Sequence, residues 1–306
     1  MEALLTLLKF AVRQKMAFYA GTDMLKQILT FKVPFTKIGA ALMAAVELFS
    51  AAFWDTPRTP RGPELDLTGY EIVFEDNFDG DELNTDVWNV TTSGSSTGFY
   101  DPSALTVKDG NLTITAEYKD GPQGKGWYTG DMRLYEKYCK GYFEIRCKAY
   151  PNQKRGDFWS AFWLSVYGEY IPEVSQGGPG GCEIDIEWFS ESTRGDRVVG
   201  ITPAVWLNGA DDDPEIDGIN FGDYAAQKDP VEEYNTYGIL WTDTEYIWYI
   251  NGVEAVRTSY AKGVSEVPEE LIVTLCSPSK ASTVTRTAED PVGEYVIDYI
   301  RIWQLP

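Results

Sequence analysis

Glu183-Ile184-Asp185-Ile186-Glu187 sets three carboxylates at alternate positions, separated by two isoleucines. In a β-strand successive side chains point to opposite faces. Strict alternation therefore puts Glu183, Asp185 and Glu187 on one face, and Ile184 and Ile186 on the other, toward a core. Carboxylates crowded on one face repel, so at least one should hold its proton above the ordinary carboxyl range. Two carboxyls pushed apart in this way are what cleavage of a glycosidic bond needs. The same alternation also describes a solvated sheet face. The flank shifts the balance. Trp159 and Trp163, in Trp159-Ser160-Ala161-Phe162-Trp163-Leu164, stand at i and i+4 on one strand face. Alone, such a pair is more often core. Beside a carboxylate row it reads as a sugar platform, because flat rings stack on the apolar faces of pyranoses.

Composition narrows the chemistry further. The 306 residues contain no histidine. This excludes Ser-His-Asp and Cys-His nucleophile systems and any His-ligated metal, and leaves acid–base work to Asp and Glu. The formal net charge is −21, and residues 1–62 hold eight Lys/Arg against four Asp/Glu, so the remainder carries about −25. That argues against nucleic acid and anionic polysaccharides and for a neutral ligand. Aromatic residues make up 14% of the chain, which suits carbohydrate and equally suits an all-β core. The cysteines, Cys139, Cys147, Cys182 and Cys276, match no zinc or CxxC spacing. Cys139 and Cys147 share parity with Phe143 and Ile145 and read as small buried hydrophobes.

The elements that must position these groups are strands. Residues 1–53 are apolar, basic and helix-prone, with the outline of a signal peptide or membrane anchor: Lys32 and Lys37, the stretch Ile38–Phe53, and Ser50-Ala51-Ala52. Glu47 interrupts that run, and a helical hairpin packed on the domain is the other reading. Residues 55–63 are rich in Pro and Arg and read as a linker, which gives a leader and linker over 1–63 and one domain over 64–306. Within that domain, alternation predicts strands over Tyr70–Phe74, Leu112–Glu117, Tyr142–Ala149, Phe158–Ser165, Glu183–Phe189, Val198–Leu207, Asn235–Trp241, Tyr246–Ile250, Leu271–Leu275 and Tyr295–Trp303. Asp109-Gly110-Asn111 and Asn251-Gly252 supply turns. No long helical periodicity follows residue 64, so the fold class is all-β: a sandwich of two antiparallel sheets with a helical N-terminal extension. The acidic stretch Asn208–Pro230 contains Asp213-Pro214-Glu215-Ile216-Asp217-Gly218, a loose imitation of a calcium loop, with Tyr224 where the closing Glu belongs. A solvated loop is the better reading there.

With these motifs in place, residues 65–306 resemble glycoside hydrolase family 16, concanavalin-like β-jelly-roll enzymes that cut β-glucans and galactans. Phe74-Glu75-Asp76-Asn77-Phe78-Asp79-Gly80 with Trp88 resembles the family's opening strand, and Gly110–Ile114 the next. Tyr128-Thr129-Gly130-Asp131-Met132-Arg133 and Gly141–Arg146 resemble the strands before the catalytic one. Asn235–Trp241, Trp248–Gly252 and Ile297–Arg301 complete an ordered set around Glu-x-Asp-x-Glu.

The resemblance implies a retaining endo-β-glucanase for β-1,3 or mixed β-1,3/1,4 glucan. Glu183 would be the nucleophile, Glu187 the acid/base, and Asp185 would tune both. Backbones at i and i+4 lie ~13 Å apart on a strand, while a retaining pair works about 5–5.5 Å apart. The side chains must then lean together on a curved sheet. Trp159, Trp163, Tyr128, Arg133, Trp206 and Trp241 are the expected substrate contacts. The resemblance also implies a structural calcium near Asp298, the Gly110 carbonyl and Asn77, against a plain Asp298–Arg301 pair. No cofactor is needed for the chemistry.

Departures concern the subsites. Thr202-Pro203-Ala204-Val205-Trp206 and Asn235 stand where members often carry histidines. A single residue separates Asp185 from Glu187, the unbulged form typical of lichenases and xyloglucan enzymes, while Trp159–Leu164 looks more like a laminarinase. A non-catalytic carbohydrate-binding jelly roll and a transglycosylase are the alternatives. The expected setting is a secreted or envelope-anchored monomer acting on neutral β-glucan, meeting membrane only through the leader.

Overall fold

The computed structural model describes residues 58–92, 94, 98–151, 158–166, 178–189, 199–201, 204–206, 218–220, 224–259, 263–277, 289 and 292–306, with backbone alone at 178, 188–189, 199–201, 204–206 and 218–220. The leader expected over residues 1–53, its helical character and the imitation calcium loop lie outside them.

The described residues form β1 (Glu71–Asp76), β2 (Trp88–Val90), β3 (Phe99–Tyr100), β4 (Leu105–Lys108), β5 (Asn111–Thr115), β6 (Glu117–Gly121), β7 (Gly124–Thr129), β8 (Asp131–Leu134), β9 (Gly141–Lys148) and β10 (Trp159–Ser165). They continue with β11 (Glu183–Phe189), β12 (Val199–Ile201), β13 (Ala204–Trp206), β14 (Gly218–Asn220), β15 (Tyr224–Ala225), β16 (Asn235–Trp241), β17 (Tyr246–Ile250), β18 (Val253–Thr258), β19 (Glu270–Cys276) and β20 (Glu294–Gln304). Among the described residues the helical turns are short 3-10 pieces at Pro102–Ala104 and Gly178–Gly180.

Two antiparallel sheets carry the fold. An eight-stranded sheet runs β18-β17-β16-β9-β20-β5-β4, with β1 also paired to β20; a seven-stranded sheet runs β14-β13-β11-β10-β19-β8-β2. The tight turns fall where glycine and asparagine permit positive φ. Asp109-Gly110 (φ 53° and 71°) closes β4–β5 and Asn251-Gly252 (φ 48° and 76°) closes β17–β18.

The inner faces interdigitate into one core. Phe143, Ile145, Ile239, Trp241, Ile300 and Ile302 come from the eight-stranded sheet; Trp88, Met132, Phe162, Leu164, Ile184 and Val273 come from the other. Each large apolar side chain contributes on the order of 1.5–3 kcal/mol by leaving water. The buried indoles keep their N–H groups satisfied: Trp88 donates to Asp76 Oδ2 (2.8 Å), Trp241 to the Ser265 carbonyl (3.0 Å) and Trp248 to the Asp185 carbonyl (2.8 Å).

Of the expected linker, residues from Arg58 onward lie against the domain. The Gly62 N–H donates to the Glu254 carbonyl (2.9 Å), Glu254 N–H to the Pro63 carbonyl (2.9 Å) and Leu65 N–H to the Gly252 carbonyl (2.8 Å). Leu65 and Leu67 then cover Tyr142, Ile247 and Tyr249 on the outer face of the eight-stranded sheet.

Candidate active site

The site builds on the outer face of the seven-stranded sheet. β11 begins at Glu183 and pairs with β10 on one side and β13 on the other: Glu183 faces Ser165 and Trp206, and Asp185 faces Trp163 and Ala204. Alternation turns Ile184 into the core and leaves Glu183 and Asp185 outside. Trp159 and Trp163 of β10 are half-buried and share that outer face with them. β19 and β8 extend it with Glu270, Thr274, Cys276, Asp131 and Arg133.

Glu187 does not join this row, which corrects the expectation of three carboxylates on one face. Trp163 pairs with Asp185, but Phe162 pairs with Glu187, so Ile186 is an extra residue in β11. This is a β-bulge, and it breaks the alternation. Ile186 and Glu187 both turn inward and are fully buried. Glu187 Oε1 accepts from the Ser160 hydroxyl (3.1 Å) and Oε2 from the Tyr295 hydroxyl (3.1 Å). The same bulge takes the Asp185 carbonyl to the Trp248 indole. Around Glu187 lie Cys147, Tyr237 and Tyr295, all held well above their ordinary pKa values by burial first, with the Glu187 charge adding to it. The chain thus has the bulge although only one residue separates Asp185 from Glu187.

A second network fixes the platform. Trp163 Nε1 donates to Thr274 Oγ1 (3.2 Å), whose hydroxyl donates to Asp131 Oδ2 (3.1 Å). Asp131, buried, also takes Arg133 Nε at 2.9 Å and the Thr91 hydroxyl. Arg133 reaches Glu270 at 3.8 Å. Asp131 thus holds the Trp163 ring edge through Thr274. Burial raises the Glu183 carboxyl above its ordinary pKa. Cys276 is pushed up to about 12, by burial first and then by the nearby Asp131, Asp185 and Glu183 charges, against a hydrogen bond to Tyr100. It is a thiol here, not a nucleophile.

Two expected substrate contacts lie elsewhere. Tyr128 is fully buried, its ring against Phe99 and its hydroxyl donating to the Gly124 carbonyl (2.7 Å). Trp241 is in the core between the sheets. Both sit on strands rich in aromatic residues, where sequence cannot tell an inward ring from an outward one. Trp206 stands beside Glu183 in the register of β13.

Asn77, Gly110 and Asp298 line one cavity of about 680 Å³ on the opposite side of the molecule, with Asp79, Asp109, Arg146 and Arg301. As the side chains stand, arginines rather than a metal cation are the partners of this set. The Arg146 guanidinium is paired with the Asp298 carboxylate, and Arg301 Nη2 donates to Asn77 Oδ1 (3.0 Å). Each guanidinium holds one side-chain oxygen, Asp298 Oδ2 and Asn77 Oδ1, and puts positive charge where a cation would sit. Among the described residues no three Asp, Glu or Cys side chains converge on a metal-sized site.

Sequence reasoning missed Asp131, Thr274, Ser160 and Tyr295. A signal existed for one of them: Ser160 stands at an inward position between Phe158 and Phe162, where an apolar residue belongs.

The family model for glycosyl hydrolases family 16 matches residues 93–301. The chain belongs to that family. An endo-1,3-1,4-beta-glycanase, ExsH, of Rhizobium meliloti (strain 1021) is 25% identical over 225 residues, covering 71% of this chain and 43% of the relative. The chain thus spans under half of that relative's length. Among solved structures, the non-specific endo-beta-1,3(4)-glucanase SCLam superposes with a TM-score of 0.65 at 18% identity, covering 82% of this chain and 97% of that one. The catalytic domain of an endo-1,3-beta-glucanase (laminarinase) from Thermotoga petrophila RKU-1 gives 0.60 at 20% identity, covering 77% and 98%. At these identities the structural likeness establishes the fold, an antiparallel jelly-roll sandwich.

Proposed function

We propose that this chain is a retaining endo-β-glucanase acting on β-1,3 or mixed β-1,3/1,4 glucan outside the cytoplasm. The observation that carries the reading is the outward pair Glu183 and Asp185 beside Trp159 and Trp163, inside the stretch matched by the family. Relatives named as 1,3-1,4-β-glycanases support the substrate class. Glu183 attacks the anomeric carbon of a sugar stacked along the tryptophans, forming a glycosyl ester, while an acid protonates the leaving oxygen. Water, deprotonated by the same acid/base group, then releases the sugar with its configuration retained.

Glu187 is that acid/base in a second register of β11. If β11 pairs with β10 without the bulge, Glu187 moves opposite Ala161, where Trp188 now stands. A one-residue slip exchanges faces, so Glu187 would leave the core and join Glu183 and Asp185. The slip also returns the Asp185 carbonyl to the ladder. In the register described, Glu187 is a buried carboxyl that accepts from the Ser160 and Tyr295 hydroxyls, and burying a carboxyl is costly.

That burial is the one observation favouring a second reading, a non-catalytic carbohydrate-binding jelly roll in which Glu187 belongs to the core. Reducing-end release from laminarin and lichenan separates the two. Turnover with NMR detection of a β-anomeric product first supports the enzyme. Tight binding without any cleavage supports the binding module. Transfer to a labelled oligosaccharide acceptor in place of water would indicate a transglycosylase.

A further inference from the structure

Among the buried ionisable groups that this chemistry leaves unused is Glu269. Its backbone is bridged to Tyr138 in both directions, at 2.9 and 3.1 Å, where β19 begins. Its side chain is fully buried. Oε1 accepts the Cys182 N–H at 3.0 Å. Oε2 is buried and makes no hydrogen bond, while the Ser265 hydroxyl beside it turns to the Val267 carbonyl (3.4 Å). The groups facing it are Tyr246 from β17, Cys182 and Ser265. Tyr246 accepts the Ser265 N–H at 2.7 Å and donates toward Cys182 Sγ at 3.8 Å. Burial pushes the Glu269 carboxyl up to about 8, against Ser265 and the Cys182 N–H, which favour the ionised form. At neutral pH it is then mostly uncharged, which lowers the cost of its burial.

Cys182 is the residue before Glu183. The chain arrives there through the Gly178–Gly180 turn and Gly181, whose φ of +111° no other residue adopts easily and whose Cβ would stand 2.3 Å from Val166 Cγ1. Its side-chain anchorage comes at its end, from Cys182, buried in the core and bonded by the Tyr246 hydroxyl. Its backbone is bonded at two points: the Pro179 carbonyl takes the Glu266 N–H at 3.2 Å, and the Cys182 N–H goes to Glu269. On stability grounds alone, a buried carboxyl that satisfies one amide is a poor choice.

We propose that Glu269 is a positioning residue for Glu183: its carboxyl oxygen pins the Cys182 amide, and with it the first residue of β11, so that the Glu183 carboxylate meets the anomeric carbon at attack distance. This rests on Glu183 being the nucleophile. Misplacing a reacting group by about 1 Å costs on the order of 10²-fold in rate.

Three variants test it: Glu269→Gln keeps the acceptor, Glu269→Asp draws it back by one methylene, and Glu269→Ala removes it. Each is assayed on laminarin, at a temperature where circular dichroism shows it folded. Asp and Ala should lower kcat by about 10–100-fold with KM within about 3-fold, and Gln should stay within about 3-fold of wild type in both. Amide hydrogen exchange at Cys182 should speed up in Asp and Ala and stay slow in Gln. If Ala does not fold, the Asp–Gln contrast decides alone. Wild-type kcat in Asp or Ala overturns the proposal, as does a Gln variant as slow as Asp with Cys182 still protected. If the wild-type chain cleaves no glucan, the glucanase reading is what has failed. Cys182 exchange then judges the brace separately, and unchanged protection in the Asp variant overturns it.

Discussion

The two halves of β11 differ in how they are held. Glu183, Ile184 and Asp185 pair on both sides, with β10 and with β13. There the alternation is strict, and both acids face outward. From Ile186 on, the pairing seen among the described residues is with β10, and β12 also lies against β11. The bulge falls at that point. A buried face specifies register, and a bulge re-aims the side chains beyond it. In the proposed chemistry the first half already presents the nucleophile, and the second half would have to change register to present the acid/base.

Breaking the first half should have the largest effect. Glu183→Ala is expected to reduce glucan turnover by about 10⁴-fold or more while leaving the circular dichroism spectrum unchanged. Added azide should restore consumption of an activated aryl β-glucoside oligomer as an α-glycosyl azide. Substantial cleavage of unactivated glucan by the variant would remove Glu183 from the chemistry.

Breaking the second half should be more selective. Glu187→Gln keeps hydrogen-bonding capacity toward Ser160 and Tyr295, so the protein should fold. Turnover of natural glucan should fall by about 10²–10⁴-fold and that of an aryl glycoside with a good leaving group far less, because only a poor leaving group needs the proton. Equal losses on both substrates would argue for a purely structural Glu187.

Trp163, held opposite Asp185 by Thr274 and Asp131, belongs to the first half. Trp163→Ala should weaken oligosaccharide binding by about 1.5–3 kcal/mol, the worth of a large apolar side chain. Calorimetry with laminari-oligosaccharides checks it. A lower melting temperature with unchanged affinity would make Trp163 a packing residue.

The smallest change sharpens the contrast most. Tyr295→Phe removes one of the two hydroxyls holding Glu187 in the core. It should cost about 0.5–1.5 kcal/mol in urea unfolding, yet kcat on natural glucan should hold or rise, because the inward register loses support. A fall in kcat beyond that of a neutral core change would contradict the two-register account.

Much of this was legible in the sequence. β11, β16 and β17 run over the predicted residues, and the glycine turns at Asp109-Gly110 and Asn251-Gly252 fall where predicted. Alternation and φ preference are local properties, so local sequence reveals them. The face of Glu187 was not legible, because a bulge depends on which neighbouring strands continue and on partners such as Ser160 and Tyr295, far away in sequence. Nor were the inward rings of Tyr128 and Trp241, since strand parity is set by the sheet around them. The cavity at Asp298 shows the same limit: Arg146, which takes the carboxylate, comes from β9, 152 residues away.

The most direct test labels the nucleophile itself. The wild-type chain is incubated with a 2-deoxy-2-fluoro-β-laminaribiosyl fluoride, which leaves without acid assistance and so does not depend on the register of Glu187. Peptide mapping by mass spectrometry then locates the trapped glycosyl ester. The account predicts one adduct per chain, on Glu183. An adduct on Asp185 or Glu187, or an unlabelled protein that nevertheless hydrolyses laminarin, would contradict it.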